Sequence, residues 1–535
     1  MSMTNQTTLQ LLQSGETSLG LEFGSTRIKA VLISHDGTVL ASGGHDWHDE
    51  LSNGVWTYSM EAVREGLQDC YLKLKADVLA KYGVKLQKIG SMGMSAMMHG
   101  YLAFDDQMNL LVPFRTWRNT ITGPAAAELT SLFQFNIPQR WSIAHLHQAI
   151  LNQEEHVGKI AFITTLAGYA TYLLTGEKVI GIGDAAGMFP IDSNTLNYDE
   201  RMLALYEEHI KPCGYAWNIR EILPKVLLAG DKAGVLTAEG AKVLDPEGDL
   251  QPGSLVCPPE GDAGTGMTAT NAVAVRTGNV SAGTSVFAMI VLEKALSRLH
   301  TEIDMVTTPT GLPVAMVHCN TCTSDINAWA SLFRDFANAA GVQLTNDQLY
   351  TLLFKSALSG EKDGGQLTAF NYYSGEPITG TDAGVPLFTR RPDAPMTLPN
   401  FMRVQIYSAL ATLAIGMKIL TEDEKVAIDK VLGHGGLFKT PVVGQSILAA
   451  AIHSPVTVLG TASEGGPWGM ALLAAFMATK SNGEALETWL NDKVFSEMPS
   501  ETLNPDPADV AGFEAYLSRY TACLEAEKAA TKALM

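Results

Sequence analysis

A lone carboxylate among glycines is the first place where this sequence could do chemistry. Glu260-Gly261-Asp262-Ala263-Gly264-Thr265-Gly266 sets Asp262 in a glycine-rich turn, and further along a strand-like run is interrupted by Gly283-Thr284-Ser285. Glycine lets a backbone come close to a ligand and takes φ values other residues resist. A turn of successive N–H groups between two strands makes a small anion cradle. An acidic residue upstream of such a cradle suggests a base, Asp262, aimed at a nucleophile beside a nucleotide's terminal phosphate.

A second copy of the cradle lies near the N-terminus, where Leu19 to Ile33 reads strand, Gly24-Ser25-Thr26 turn, strand, with Lys29 just beyond the turn. Each cradle opens a segment of domain length, so the pattern implies an internal duplication. Two cradles facing each other would hold a polyphosphate from both sides. A third glycine turn, Gly433-His434-Gly435-Gly436, ends another strand-like run, and none of the three is a GxxxxGK[ST] loop.

The elements that must position these turns follow an α/β layered pattern. Three hairpin strands (the third behind Asp36-Gly37) precede a helix over 60–82 and a strand over 88–96 that runs into Met97-Met98-His99-Gly100. Residues 137–174 read as mainly helical, 183–187 as a polar turn, and 199–209 as a helix. In the second half, strands at 313–317 and 456–459 alternate with helices at 322–336, 400–420, 441–452 and 469–477, and the end from Asp506 is helical. Residues 1–17 read as a loose tail. The expected domains are 18–275 and 276–535.

The chain has 535 residues, 46% of them hydrophobic and 17% charged, with a net charge of −19. Such a surface repels phosphate backbones and anionic lipid, so no nucleic-acid or membrane partner is expected. The cysteines are scattered, and Cys319-Asn320-Thr321-Cys322 has no second pair at zinc spacing, so it reads as buried small residues in a reducing compartment. The N-terminus lacks a secretory pattern and no apolar run reaches membrane length, so a cytoplasmic protein is expected.

Together these elements resemble the FGGY carbohydrate kinases, over essentially the whole chain from Leu19 to about residue 525. That resemblance implies an α/β fold of two actin-like (ribonuclease H-like) domains with a cleft between them, and ATP and Mg2+ as cofactors. The family's first phosphate motif matches Glu22-Phe23-Gly24-Ser25, where Glu22 stands in place of the usual Asp and would help hold Mg2+. Its second phosphate motif matches Ala282-Gly283-Thr284-Ser285, and its adenosine motif matches Gly435-Gly436-Leu437-Phe438-Lys439. Gly261-Asp262 matches the turn whose Asp serves as catalytic base. Gly24, Ser25, Thr26, Lys29, Gly283 and Thr284 are then the phosphate contacts, with Gly435, Gly436 and Lys439 toward the adenosine.

On the sugar side, Met98-His99-Gly100 resembles the Met-His-Gly of xylulose kinases, and Trp117-Arg118-Asn119 sits where relatives place a sugar-contacting Trp and its polar neighbours. Asp184 reads as a turn or cap behind the site. Asp325-Ile326-Asn327-Ala328-Trp329 resembles the corresponding segment of ribulokinases. The resemblance implies phosphorylation of a pentulose on its terminal hydroxyl, L-ribulose first and D-xylulose next. Other sugars of the family (L-xylulose, a hexulose, a polyol), an actin-like ATPase switch or sugar sensor and an acyl-phosphate kinase are the alternatives. A small sugar is the expected partner, with a homodimer left open.

Overall fold

Alternating apolar residues on either side of the first glycine turn fold as a hairpin. The computed structural model describes residues 5–460 and 465–535. The segment read as a tail carries helix α1 (Asn5–Ser14), anchored by its buried Leu12. Strands β1 (Ser18–Phe23) and β2 (Arg27–Ile33) then pair antiparallel with Glu22 opposite Lys29, and β3 (Val39–Asp46) pairs antiparallel with β2. Between them Asp36 accepts from the Ser34 hydroxyl and the Thr38 amide, and Gly37 takes a φ of 84° that suits glycine.

Helix α2 (Met60–Tyr82) starts where Ser59 accepts from the Ala62 amide and stops where Gly83 turns left-handed at φ 70°. It carries the chain across to β4 (Ser91–Ala96), which pairs parallel with β1. The short strands β5 (Gly234–Val235) and β6 (Leu255–Val256) complete the order β5-β6-β4-β1-β2-β3, and Glu260–Gly261 also pairs with the end of β4. All residues of β1 and β4 are buried, as in a strand covered on both faces. Helices α3 (Gly123–Phe133), α4 (Ser142–Leu151), α5 (Leu166–Thr175), α6 (Ile182–Ala185), α7 (Glu200–Ile210) and α8 (Asp262–Ala269) follow. The stretch 137–174 is less helical than expected, because Phe162–Thr164 pairs as a strand with Leu102–Phe104. The segment 183–187, expected as a polar turn, begins inside the buried helical turn α6.

The second glycine turn is built the same way. Strands β7 (Thr277–Ala282) and β8 (Val286–Val291) pair antiparallel, β9 (Pro313–Cys319) lies next, and β10 (Lys430–His434) pairs parallel with β7. With β11 (Val456–Leu459) and β12 (Ser500–Leu503) the order is β9-β8-β7-β10-β11-β12. Strands β3-β2-β1-β4-β6 and β9-β8-β7-β10-β11 repeat one skeleton, so the duplication implied by the two cradles is present in the topology.

Helices α9 (Ser324–Ala339), α10 (Asn346–Ala357), α11 (Leu398–Lys418), α12 (Val443–Ile452) and α13 (Pro507–Ala522) complete the second unit. The helical stretch Leu398–Asp423 is long and apolar enough to cross a membrane, contrary to the sequence reading, but 78% of its apolar window is buried in protein. Within it the buried Arg403 donates to the Ala357 carbonyl and to Asp509. It is a core helix.

The chain forms two compact units, Met1–Val273 with Met305–Val314 and Ser463–Glu497, and Ala274–Asp304 with Ala315–Ala462 and Met498–Met535. The helix Gly465–Thr479 lies with the first unit because it packs on β1, where a Cβ on Gly20 would stand 1.9 Å from the Pro467 carbonyl and 2.5 Å from the Ala471 amide. Overpacking at a well-filled contact costs about 1–3 kcal/mol. Gly20→Ala is therefore expected to lower the first thermal transition of the whole protein, and an unchanged melting curve would show that this helix can move aside.

Candidate active site

Both glycine turns are held by their carbonyls. In the first, the Gly24 carbonyl accepts from the Trp47 indole at 2.7 Å, the Ser25 carbonyl from the Tyr58 hydroxyl at 2.6 Å, and the Thr26 carbonyl from the Trp47 amide. Trp47 and Tyr58 stack at 4.1 Å, so one aromatic pair clamps the turn. In the second, the Gly283 carbonyl accepts from the amide and hydroxyl of Thr323, and the Thr284 carbonyl from the Cys322 amide at 2.7 Å. Securing the carbonyls fixes each loop while leaving Thr26 and Thr284 exposed. The Cys319/Cys322 pair is buried and reduced, and Cys322 serves through its backbone. Sequence reasoning missed Trp47, Tyr58 and Thr323 because long-range contacts to a carbonyl leave no local spacing signal.

In the first unit a set of carboxylates surrounds the β1 and β4 ends. Glu22 is buried, and desolvation lifts its pKa to about 7 against the pull of Lys29, whose Nζ lies 4.0 Å from Oε2. That Oε2 has no hydrogen-bond partner. A Cβ at Gly466 would stand 2.6 Å from the same oxygen, so glycine there makes room for the carboxylate. A buried carboxylate with a free oxygen and one distant ammonium suits a hydrated divalent cation, which keeps its waters and takes few carboxylates. Lys29, expected at a phosphate, stands beside Glu22 and near the turn.

Asp262 is the first residue of α8. It is open to solvent although protein surrounds it, and that surrounding mass raises its pKa; the Met98 amide, donating to Oδ1 at 3.1 Å, and the charge of Arg140 oppose the shift. Met98-His99-Gly100 is thus tied directly to Asp262. His99 and Gly100 both lie in the left-handed region, at φ 74° and 91°. A Cβ on Gly100 would meet the Arg115 carbonyl at 2.8 Å. The His99 ring is buried, 3.3 Å from the Gly187 carbonyl and stacked on Trp141. A non-glycine residue held left-handed marks a constrained turn.

Behind Asp262 lie two further acids. Asp184 accepts from the Thr165 hydroxyl at 2.6 Å through Oδ2 while Oδ1 is buried without a partner, and desolvation raises its pKa to about 7. Glu260 accepts from the Gly183 amide at 3.2 Å, keeps Oε2 unpartnered, and is raised by burial to about 8. Cβ atoms at Gly181, Gly183 or Gly264 would crowd its carboxylate. Glu260 and Arg140 were missed in the sequence; Glu260, two residues before Asp262, was visible as a second acid in the same turn.

The segment Trp117-Arg118-Asn119 divides. Trp117 is 40% exposed and its indole donates to the Ser25 hydroxyl at 3.3 Å, which brings it to the first turn. Arg118 is stacked 3.8 Å over Trp56 and paired with Asp49. Asn119 does not present its amide to a ligand: it is buried, accepting from the Trp56 amide and donating to the Trp56 and Thr116 carbonyls. Its role is to hold backbone.

In the second unit, Gly435 (φ 104°) passes so close to β7 that a Cβ would stand 2.4 Å from the Ala282 carbonyl. The third glycine turn therefore lies against the second. A cavity of about 570 Å³ opens beside it, lined by Gly436 and Lys439 together with Ile326, Asn327, Tyr350 and Phe354 from α9 and α10. Ile326, Tyr350 and Phe354 offer apolar surface for a flat heterocycle, and the many polar groups beside them, among them Asn327, Asp347 and Lys439, suit a ribose. Asp325 is turned inward, accepting from the Trp329 indole at 3.0 Å. Another recess, about 530 Å³ beside α7, shares no residue with either turn.

Family models match both halves of the chain: the N-terminal domain of the FGGY family of carbohydrate kinases over residues 17–246, and its C-terminal domain over 278–478. Solved structures with the same architecture include a gluconate kinase from Lactobacillus acidophilus (16% identity, TM-score 0.78, covering 97% of this chain and 99% of that one). A xylulose kinase from Rhodospirillum rubrum is similar at 18% identity and a TM-score of 0.76, covering 95% and 98%. A xylulose kinase from Lactobacillus acidophilus is similar at 16% identity and a TM-score of 0.76, covering 97% and 99%. At these identities the likeness is one of fold.

Two outcomes are expected from this geometry. Gly435→Ala forces a Cβ into a left-handed position against Ala282, a strain of about 1–3 kcal/mol, so the KM for ATP should rise on the order of tenfold while calorimetric sugar binding is unchanged. Parallel losses of both would place the strain elsewhere. Glu22, Asp184 and Glu260 are acids whose folded pKa values lie above their ordinary ones. Their stabilising contribution is full below about pH 4, the unfolded range, and is lost as pH rises through about 7 to 8. Glu260→Gln should flatten the fall in melting temperature between pH 5 and pH 8; a fall as steep as in the wild type would remove Glu260 from this account.

Proposed function

Because the chain belongs to the FGGY family of carbohydrate kinases, whose members are ATP-dependent sugar phosphotransferases, we propose that it phosphorylates the terminal hydroxyl of a pentulose with Asp262 as general base. The observation that carries this reading is the bond from the Met98 amide to Asp262 Oδ1. It fixes the carboxylate in place while the residue stays open to solvent, so that it can accept the proton of a sugar hydroxyl. Desolvation raises the proton affinity of that carboxylate, which favours the transfer. Phosphoryl transfer asks little more of the protein than positioning, charge neutralisation and a proton acceptor.

The remaining residues divide the other tasks. Gly24, Ser25 and Thr26 on one turn, and Gly283 and Thr284 on the other, would contact phosphates. Gly435, Gly436 and Lys439 border the cavity that would take the adenosine. Glu22 would hold Mg2+ through water, with Lys29 alongside. When bound, Mg2+ neutralises phosphate charge. Trp117 and His99 would line the sugar, and Arg118, engaged with Asp49, would shape rather than fill its pocket.

For the sugar we place D-xylulose first and L-ribulose second. The segment resembling xylulose kinases is bonded to Asp262. The segment resembling ribulokinases instead contributes Ile326 and Asn327 to the cavity beside Gly436, with Asp325 spent on Trp329. The deciding test is ADP release from Mg-ATP against pentuloses, hexuloses, polyols and aldoses, repeated with Asp262→Asn. Turnover that requires one ketopentose and falls about 10²–10⁴-fold in the variant is expected. ATP hydrolysis indifferent to sugar and to the substitution would overturn the base assignment and favour an ATP-driven switch.

A further inference from the structure

Away from the carboxylates and glycine turns, three helices of the first unit bring a second set of ligand-type side chains together. Glu128 on α3, His147 on α4 and His209 on α7 place their candidate ligand atoms within 4.8 Å of one another. Glu128 Oε1 is 2.7 Å from His209 Nε2 and 3.6 Å from His147 Nε2. The second distance exceeds a hydrogen bond. His147 is 2% exposed, and neither of its ring nitrogens has a hydrogen-bond partner.

A buried imidazole with both nitrogens unsatisfied is costly, and such a group in a folded protein calls for a water or an ion. The Tyr206 ring lies edge-on to His147 at 5.7 Å and the His209 ring at 5.4 Å, so the imidazole is packed with its neighbours around Glu128. Glu128 and His209 are partly open to solvent, at 39% and 33%, which provides a path of entry.

We propose that Glu128, His147 and His209 form a site for a divalent transition-metal ion of the zinc class, with a water completing the shell. Two imidazoles and a carboxylate are a borderline-soft set suited to zinc, where three protein ligands leave one position open. Bond lengths near 2 Å require the ligand atoms to draw in by about an ångström, which the two partly exposed side chains can do by rotation. The ion would tie α3, α4 and α7 together, apart from the phosphoryl-transfer residues.

The test uses full-length, tag-free protein stripped with a chelator and desalted. Co2+ is titrated in and its visible absorption followed, then Zn2+ is added in competition. The expected result is one Co2+ per chain with the intense bands of a low-coordinate site, displaced by Zn2+. His209→Ala and Glu128→Gln, changed at partly exposed positions so that folding is retained, should weaken binding by more than the roughly 10–100-fold that follows loss of a residue behind a ligand. Zn2+ should raise the melting temperature of the wild type and not of these variants, while His453→Ala, at an exposed histidine in the second unit, behaves as wild type. Absence of the bands, or binding undiminished in both variants, would overturn the proposal.

Discussion

Desolvation of carboxylates is the constraint on which the first unit depends. Glu22, Asp184, Glu260 and Asp262 each have burial or surrounding protein as the leading influence on their ionisation, and it raises all four. Such groups persist only where backbone and small residues are fitted round them. The fitting is visible: glycines at 181, 183, 264 and 466 leave room for Glu260 and Glu22, Thr165 satisfies one oxygen of Asp184, and Gly183 one of Glu260. The oxygens left over raise the region's affinity for protons. Much of the glycine pattern around the site is thus set by where the carboxylates must go.

The two turns meet a different constraint with a shared solution. Each hairpin is closed by its leading glycine amide, Gly24 to the Arg27 carbonyl and Gly283 to the Ser285 carbonyl, and the carbonyls of the turn must be occupied or their dipoles would repel an anion. In the first unit the carbonyls are occupied by an aromatic pair, Trp47 and Tyr58; in the second, by the start of α9 through Cys322 and Thr323. The duplicated strand order has kept the loop geometry while the supporting residues have diverged.

How much of this could be read from the chain follows from where each signal resides. Hairpins, the crossover helix α2 and the glycine turns were legible because φ preference and hydrophobic period act locally. Asp262 stood out as a candidate through its glycines, and the structure bonds it to the Met98 amide. What stayed hidden depends on tertiary burial. Asp184 read as a turn residue because Gly183-Asp184-Ala185 is polar in isolation, and only the packing around α6 makes it an interior acid. α1 read as a tail because its polar residues dominate, although Leu12 anchors it. α11 escaped notice as an apolar span because Asn400, Arg403 and Gln405 interrupt it, and the partners of Asn400 and Arg403 are far along the chain.

Motif position and chemical availability also prove to be separate matters. Asn119 stands in a segment that the family resemblance reads as sugar-contacting, yet its amide is fully engaged with Trp56 and Thr116. Asp325 occupies a place in a substrate-suggestive segment, yet it is engaged by Trp329. A side chain whose hydrogen-bonding capacity is already used can position a ligand only through the backbone it holds, since a new bond would have to break an existing one in a poorly solvated setting. On the proposed function, selectivity for the sugar would therefore rest with groups that retain capacity: the solvent-open Asp262, the exposed Trp117 edge, and the His99–Gly100 turn, whose left-handed backbone fixes the chain beside them.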